Sequence, residues 1–252
     1  MMQTDKEDKL VLSRAEDAVF LAEKNYQVKT VGFLNPAQRV LIEKNIFTPD
    51  NLSVSFEGGY DGAERTVMVC APEYADFEIG EILTAIKLEG RNASALTHRD
   101  YLGSLMGLGI TRENIGDILC TQSGAIIFVK SDIADYILLN LDKVGRCGVK
   151  AKICGLNDVE IPKPKTREIG GTVSSLRLDS VLSLAAGISR GRAAELIGQG
   201  VVSLNWEVCE SVSEKMCEGD LISARGLGRM RLEKVGGITR KGRIGVTIIR
   251  FE

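Results

Sequence analysis

The residues of this chain best suited to chemistry are arginines. Arg190 and Arg192 follow Ser189, a hydroxyl residue of the kind that caps helices, and residues 190–197 read as a helix that stops near Gly198 and Gly200. Two cations in a first helical turn oppose the helix dipole, which favours anions there. The pattern is consistent if a phosphate supplies the missing negative charge, so the chemistry implied is recognition of a phosphate rather than bond making.

The elements that must position these arginines lie on either side. Leu178, Val181, Leu182 and Ala185 have helical spacing before Gly187, which gives a first amphipathic helix. After residue 200 the period changes to two, with strands expected over 201–205, 221–225, 229–233 and 245–250. Gly219-Asp220, Gly226-Leu227-Gly228 and the basic run 239–243 provide the turns. The expected unit is two helices packed on a small twisted sheet.

The order of motifs in this stretch resembles the S-four domain, the RNA-binding module named after the fourth protein of the small ribosomal subunit. Arg177-Leu178-Asp179 opens one helix and Ser189-Arg190 the next. They are followed by Gly200-x-Val202-x-x-Asn205, Gly219-Asp220-x-Ile222-Ser223 and Arg225-Gly226-x-Gly228-Arg229. The resemblance implies that the helix pair and the adjoining loop form one basic face for structured RNA. By position it assigns contacts to Arg177, Ser189, Arg190, Arg192, Asn205, Arg225 and Arg229, with Lys241 and Arg243 added from the basic turn.

Charge is distributed to match. Residues 177–252 carry 12 Lys+Arg against 9 Asp+Glu, whereas residues 1–76 carry 8 against 13, in a chain of net charge −2. Such a chain is not an indiscriminate polyanion binder, and a local basic face must do the binding. The N-terminus is charged from the outset and no apolar run approaches the roughly 20 residues that span a bilayer, so no membrane association is expected. The six cysteines form no Cys-x-x-Cys pair and have one histidine to assist them; reduced thiols in a cytoplasm are expected, with no metal site.

Towards the N-terminus, residues 8–24 read as a helix with Leu10, Val11, Ala18 and Leu21 on one face, and Asn35-Pro36 starts a second over 37–44. Strands at 52–56 and 65–69 form a hairpin around Gly58-Gly59-Tyr60-Asp61-Gly62. No Gly-Lys-Ser/Thr follows, so the loop reads as a turn, with Tyr60 and Arg65 placed to meet a ligand. Strand 81–89, helix 98–108, strands 115–121 and 124–130, helix 132–141 and strand 147–154 then give the β-α-β-β-α-β order of a ferredoxin-like domain. RNA-recognition motifs share this fold, but strand 125–130 lacks their base-stacking aromatics.

Two look-alike motifs fall in this region. His98-Arg99-Asp100 imitates a kinase catalytic loop, but Leu105 stands where the metal-binding Asn belongs. Gly107-Leu108-Gly109 follows a helix rather than a strand and lacks the third glycine of a nucleotide fingerprint. The simpler reading is Thr97 and Asp100 as a capping box with Leu102, Leu105 and Met106 facing the core, which leaves Arg99 unexplained.

Residues 96–110, together with Phe33-Leu34-Asn35-Pro36 and the run 56–65, closely resemble the YlmH family of bacterial S-four-domain proteins. With the C-terminal module, the resemblance covers nearly the whole chain. It implies RNA binding, association with the large ribosomal subunit and a link to handling stalled peptidyl-tRNA, in a family whose genes often lie near cell-division genes. Tyr60, Arg65, His98 and Arg99 are candidates for a second contact.

The fold class expected is α+β, in four parts. Residues 1–76 form N-terminal helices and a β-hairpin, 77–160 a ferredoxin-like domain, 161–174 a basic linker and 175–252 the S-four-type domain. Pro162-Lys163-Pro164-Lys165 is stiff and Gly170-Gly171 flexible, which makes 161–174 a solvated connector with Lys163 and Lys165 as minor phosphate contacts. The function expected is that of a monomeric, cytoplasmic, non-enzymatic protein without cofactor that binds ribosomal RNA and tRNA. The rival is an RNA-modifying enzyme carrying an S-four domain, a pseudouridine synthase or methyltransferase, although no nucleophile or methyl-donor motif supports it.

Overall fold

The computed structural model describes residues 2–251, with side chains from residue 6 onward. It divides into two compact units, Met1–Pro162 and Lys163–Glu252.

The first unit opens with helix α1 (Met2–Asn25), strand β1 (Lys29–Leu34), helix α2 (Pro36–Asn45), and strands β2 (Leu52–Glu57) and β3 (Thr66–Pro72). The α1 stripe differs from the expected one. Val11, Ala15, Ala18, Val19 and Ala22 are buried, whereas Leu10 is 52% exposed, because the helix packs close through small residues. Asn35 caps α2 by accepting from Gln38 N–H at 2.9 Å, and the Gln38 side chain accepts from Asn35 N–H in return. Strand β1 was absent from the sequence expectations because glycine interrupts its apolar run. Gly32 is required there, since a Cβ would stand 2.6 Å from the Glu113 carbonyl oxygen.

The three strands form an antiparallel sheet in the order β1-β3-β2, and every residue of the central strand β3 is buried. Met68 and Cys70 face the α1/α2 side, while Val67 and Val69 face the other way, against Leu83, Ala85, Ile126 and Phe128. Those last four belong to the ferredoxin-like part.

There, helix α3 (Ile79–Ile82) leads into β4 (Leu83–Glu89), and α4 (His98–Gly107), β5 (Ile115–Cys120), β6 (Gly124–Lys130) and α5 (Ala134–Asn140) follow. A short ribbon, β7 (Lys143–Val144) and β8 (Cys147–Gly148), precedes β9 (Lys150–Cys154). The antiparallel order β5-β6-β4-β9 is that of a ferredoxin-like sheet.

Along β6 the alternation is clean. Ile127 and Val129 join Tyr101, Leu105 and Ile137 under the helices, and Ile126 and Phe128 join the β1–β3 layer. The sheet is therefore covered on both faces, and residues 1–76 and 77–160 share the cluster between their two sheets, each also packing a cluster of its own under its helices. On α4, Asp100 caps back to Thr97 N–H at 2.8 Å and Leu105 is buried as expected. Met106, expected inside, is 50% exposed, and Tyr101 takes its place in the core.

The second unit begins with a strand, β10 (Thr166–Val173), within the segment read as a connector. Helices α6 (Leu178–Ala186) and α7 (Arg190–Gly198) follow, then β11 (Val202–Leu204), β12 (Glu207–Val208), β13 (Leu221–Ala224), β14 (Gly228–Ile238) and β15 (Ile244–Phe251). They form one antiparallel sheet in the order β10-β15-β14-β13-β11-β12, with β10 paired to β15 from Thr166↔Phe251 to Val173↔Ile244. Gly171 is not a hinge. A Cβ there would stand 2.8 Å from the Leu184 methyls, so the glycine lets α6 approach the sheet. Leu178, Val181, Leu182 and Ala185 from α6 and Ala193 and Ile197 from α7 pack on Met230, Leu232, Val246 and Ile248.

Because β10 covers the edge of β15 and packs Ile169 against the core, a fragment beginning at Lys163 should be more stable than one beginning at Thr172, by about 2 kcal/mol. Urea unfolding of the two fragments measures the gap, and equal midpoints would assign β10 no part in this core.

Candidate nucleic-acid interface

The two helices of the second unit start side by side because Gly187, in the left-handed conformation at φ 66°, reverses the chain between them. The first turn of α6 is closed by the segment after β12, with Leu178 N–H donating to Glu214 O at 2.8 Å and Asp179 N–H to Val212 O at 3.3 Å. Ser189 caps α7 by accepting from Arg192 N–H at 3.1 Å.

Between the two helix starts lies Asp179, its side chain only 6% exposed. Its carboxylate accepts from Arg177 Nε at 3.2 Å and from Arg190 Nε at 2.9 Å, while both guanidinium groups remain half-exposed. Burial alone would raise the Asp179 pKa, but the hydrogen bonds from Arg190 and Arg177 outweigh it and hold the carboxyl below its ordinary value. Arg192 pairs with Glu195 at 2.7 Å one turn on.

This arrangement corrects the reading of the arginines at the start of α7. The negative charge that a cation at a helix N-terminus calls for comes from within the protein, through Asp179 for Arg190 and Glu195 for Arg192. A phosphate is not needed to make the helix start consistent. The guanidinium groups keep outward-facing surface beyond these bonds, and one carboxylate holding two of them fixes their separation before any ligand arrives.

A polar cleft of about 430 Å³ adjoins the pair, lined by Thr172, Ser174, Ser180, Ser183, Arg190 and Arg243. Arg243, in the turn before β15, reaches it by donating to the Thr172 hydroxyl at 2.9 Å and to its carbonyl. Arg177, Ser189, Arg190, Arg192 and Arg243 thus gather on the helix side of the unit.

The remaining candidates do not join them. Met230 and Leu232 point into the core beneath the helices, so Arg229 and Arg231, alternating with them on β14, emerge on the opposite face of the sheet. Asn205 stands exposed in the β11–β12 turn, where its side chain bonds Asp220 at 2.8 Å and Leu221 N–H at 2.9 Å. Arg225 and Lys241 are exposed in turns at the sheet ends. The single basic face that the resemblance implied is divided between two sides.

In the first unit, Tyr60 and Arg65 are engaged internally. The Tyr60 hydroxyl donates to Asp117 at 2.8 Å and its ring packs 4.8 Å from that of Phe128; burial and the Asp117 charge raise its pKa well above the ordinary range. Arg65 donates to the carbonyls of Ile115, Phe33 and Arg112, and burial beside Arg112 lowers its pKa to about 10. Together they fasten the glycine-rich loop to β5. His98 and Arg99 are exposed at the start of α4, with the His98 pKa lowered by partial burial and by Arg112. The face of the ferredoxin-like sheet that RNA-recognition motifs use for bases lies beneath β1–β3.

Comparisons with known proteins agree with this division. The family model described as the putative RNA-binding domain in YlmH matches residues 72–158, and the model for the S-four domain matches residues 176–222. A ribosome-associated protein quality control protein, P2, of Bacillus subtilis is 33% identical over 250 residues, which is 97% of this chain and 96% of that protein. A solved structure of the cell division protein ylmH from Streptococcus pneumoniae, 21% identical, superposes with a TM-score of 0.51 over 62% of this chain and 95% of that one, a likeness of fold.

Asp179 yields a test of the clamp. Replacing it with Asn leaves two guanidinium groups facing each other without a counter-charge, and at pH 7 should cost about 1–2 kcal/mol, less than for a fully buried pair because both arginines are half-exposed. Since the folded pKa lies below the unfolded one, this stability is complete above about pH 4 and is lost as pH falls through the folded value. Urea titrations should therefore show wild type and D179N converging in acid; a gap independent of pH would mean that the charge of Asp179 does not act.

Proposed function

The chain belongs to the YlmH family, and on that premise we propose that it binds structured ribosomal RNA of the large subunit through the helix side of its S-four unit, in handling stalled ribosomes that hold peptidyl-tRNA. The observation that carries this reading is the Asp179-held pair of guanidinium groups, Arg177 and Arg190, at the shared start of α6 and α7. Two fixed, half-exposed cations beside a hydroxyl-lined cleft suit adjacent phosphates along an RNA backbone, which position the protein without reading sequence. Arg192 and Arg243 extend the charged edge.

The protein acts in this reading by binding, as a cytoplasmic monomer, and not by catalysis. Asp179, the acidic residue of the module placed most like a nucleophile, is buried and bonded to two arginines, which supports a positioning role for it. The family of the relative from Bacillus subtilis, whose name describes ribosome-associated protein quality control, supports the same reading. The first unit is acidic over residues 1–76 and its sheet face is closed, so its part is to present the exposed α4 start, with His98 and Arg99, to a second component such as tRNA.

Replacing Arg190 and Arg192 together with Ala should weaken binding to large-subunit RNA and lower the slope of log affinity against log salt by about 1.5–2, from two lost phosphate contacts. Filter binding across a salt series, paired with co-sedimentation on large subunits, measures this. An unchanged affinity and slope in the folded double variant would exclude the helix side as the interface.

A further inference from the structure

The reverse face of the S-four sheet carries an arrangement that the helix-side interface does not use. Arg229 lies between two aromatic rings, its Cζ 6.0 Å from the Trp206 ring centroid and 5.7 Å from that of Phe251, and Arg231 stands 5.9 Å from Phe251 on the other side. Arg229 and Phe251 are register partners on β14 and β15, and Arg231 pairs with Ile249 on the same face. The row Trp206, Arg229, Phe251, Arg231 is thus a strip of flat π surface alternating with guanidinium groups, the last of which is paired with Glu233 at 2.7 Å. None of the four residues is buried, on a sheet whose other face is filled by α6 and α7.

The backbone marks Trp206 independently. It sits with Asn205 in the two-residue turn between β11 and β12, at φ 73° and 48°. Turns with both central residues at positive φ favour Asn-Gly, because glycine adopts the second position without a Cβ penalty. This chain places there its one tryptophan, the bulkiest side chain, in a sequence with few aromatics. A large residue held in a left-handed conformation points to a demand other than folding.

We propose that this strip is a second RNA contact, a stacking platform on which an unpaired nucleobase lies against Trp206 and Phe251 while Arg229 and Arg231 meet the flanking phosphates. Aromatic rings stack on any base face, and guanidinium groups between them add cation–π attraction and backbone charge, the combination used for single-stranded nucleic acid. A duplex keeps its base faces covered and offers this strip phosphates alone. The proposal rests on the RNA-binding reading above and adds to it that the S-four unit grips RNA from both sides, structured RNA on the helices and an unpaired segment on the sheet.

Because Trp206 is the only tryptophan, its fluorescence in the full-length protein reports on the strip directly. Titration with a single-stranded oligoribonucleotide of about ten nucleotides should quench it saturably, and a duplex of equal length should not. The decisive variant is Trp206→Gly, which relieves the turn. It should raise the urea midpoint while weakening single-strand binding about tenfold, measured by anisotropy of labelled RNA, and Phe251→Ala should weaken binding similarly. Absence of single-strand quenching in protein that still binds structured ribosomal RNA would overturn the platform alone. So would a Trp206→Gly variant that is less stable and binds unchanged, since the ring would then serve packing. Loss of binding to both kinds of RNA by the wild-type chain would instead overturn the reading on which the platform rests.

Discussion

The geometry of the proposed helix-side interface depends on one buried carboxylate. Asp179 is held near zero exposure by α6 and by the segment that closes its first turn, and from there it grips Arg177 and Arg190. Without it, two cations at neighbouring helix starts would repel each other and oppose both dipoles. With it, each arginine is restrained at one end and open at the other, so little side-chain entropy remains to be lost on meeting a phosphate. The same carboxylate thus ties the two helix starts together and sets the spacing of the two guanidinium groups.

A second constraint shapes the first unit. Strand β3 is buried on both faces, so the β1–β3 sheet must pack on the ferredoxin-like sheet as well as on α1 and α2. The sheet face of the ferredoxin-like part is committed to the core, and the Tyr60–Asp117 and Arg65 bonds fasten the glycine-rich loop over one edge. Exposed helix ends, rather than a sheet surface, are what this unit presents.

Much of this was legible in the sequence wherever local periodicity and tertiary burial agree. The ferredoxin-like order emerged from strand and helix spacing, and the S-four helices from the apolar stripe 178, 181, 182, 185 and the Ser189 cap. Legibility failed where the deciding partner is distant in sequence. Strand β10 carries two glycines and reads as a connector until β15 pairs with it and Leu184 fills the space above Gly171. Arg65 looked available because the three carbonyls that bind it come from residues 33, 112 and 115. The separation of Arg229 from Arg190 follows from strand alternation on β14, yet it needs the knowledge that helices cover the Met230 side. Trp206 carries a local signal, a bulky residue after Asn in a hairpin position normally given to glycine.

The most direct measurement of the central claim is ultraviolet crosslinking of the full-length protein to ribosomes in cells, followed by sequencing of the attached RNA and mass mapping of the attached peptides. Crosslinks should concentrate in large-subunit RNA and be carried by peptides of the second unit, foremost those containing Arg177 to Arg192. Crosslinks confined to peptides of residues 6–162, or RNA recovered without enrichment of ribosomal sequence, would contradict it.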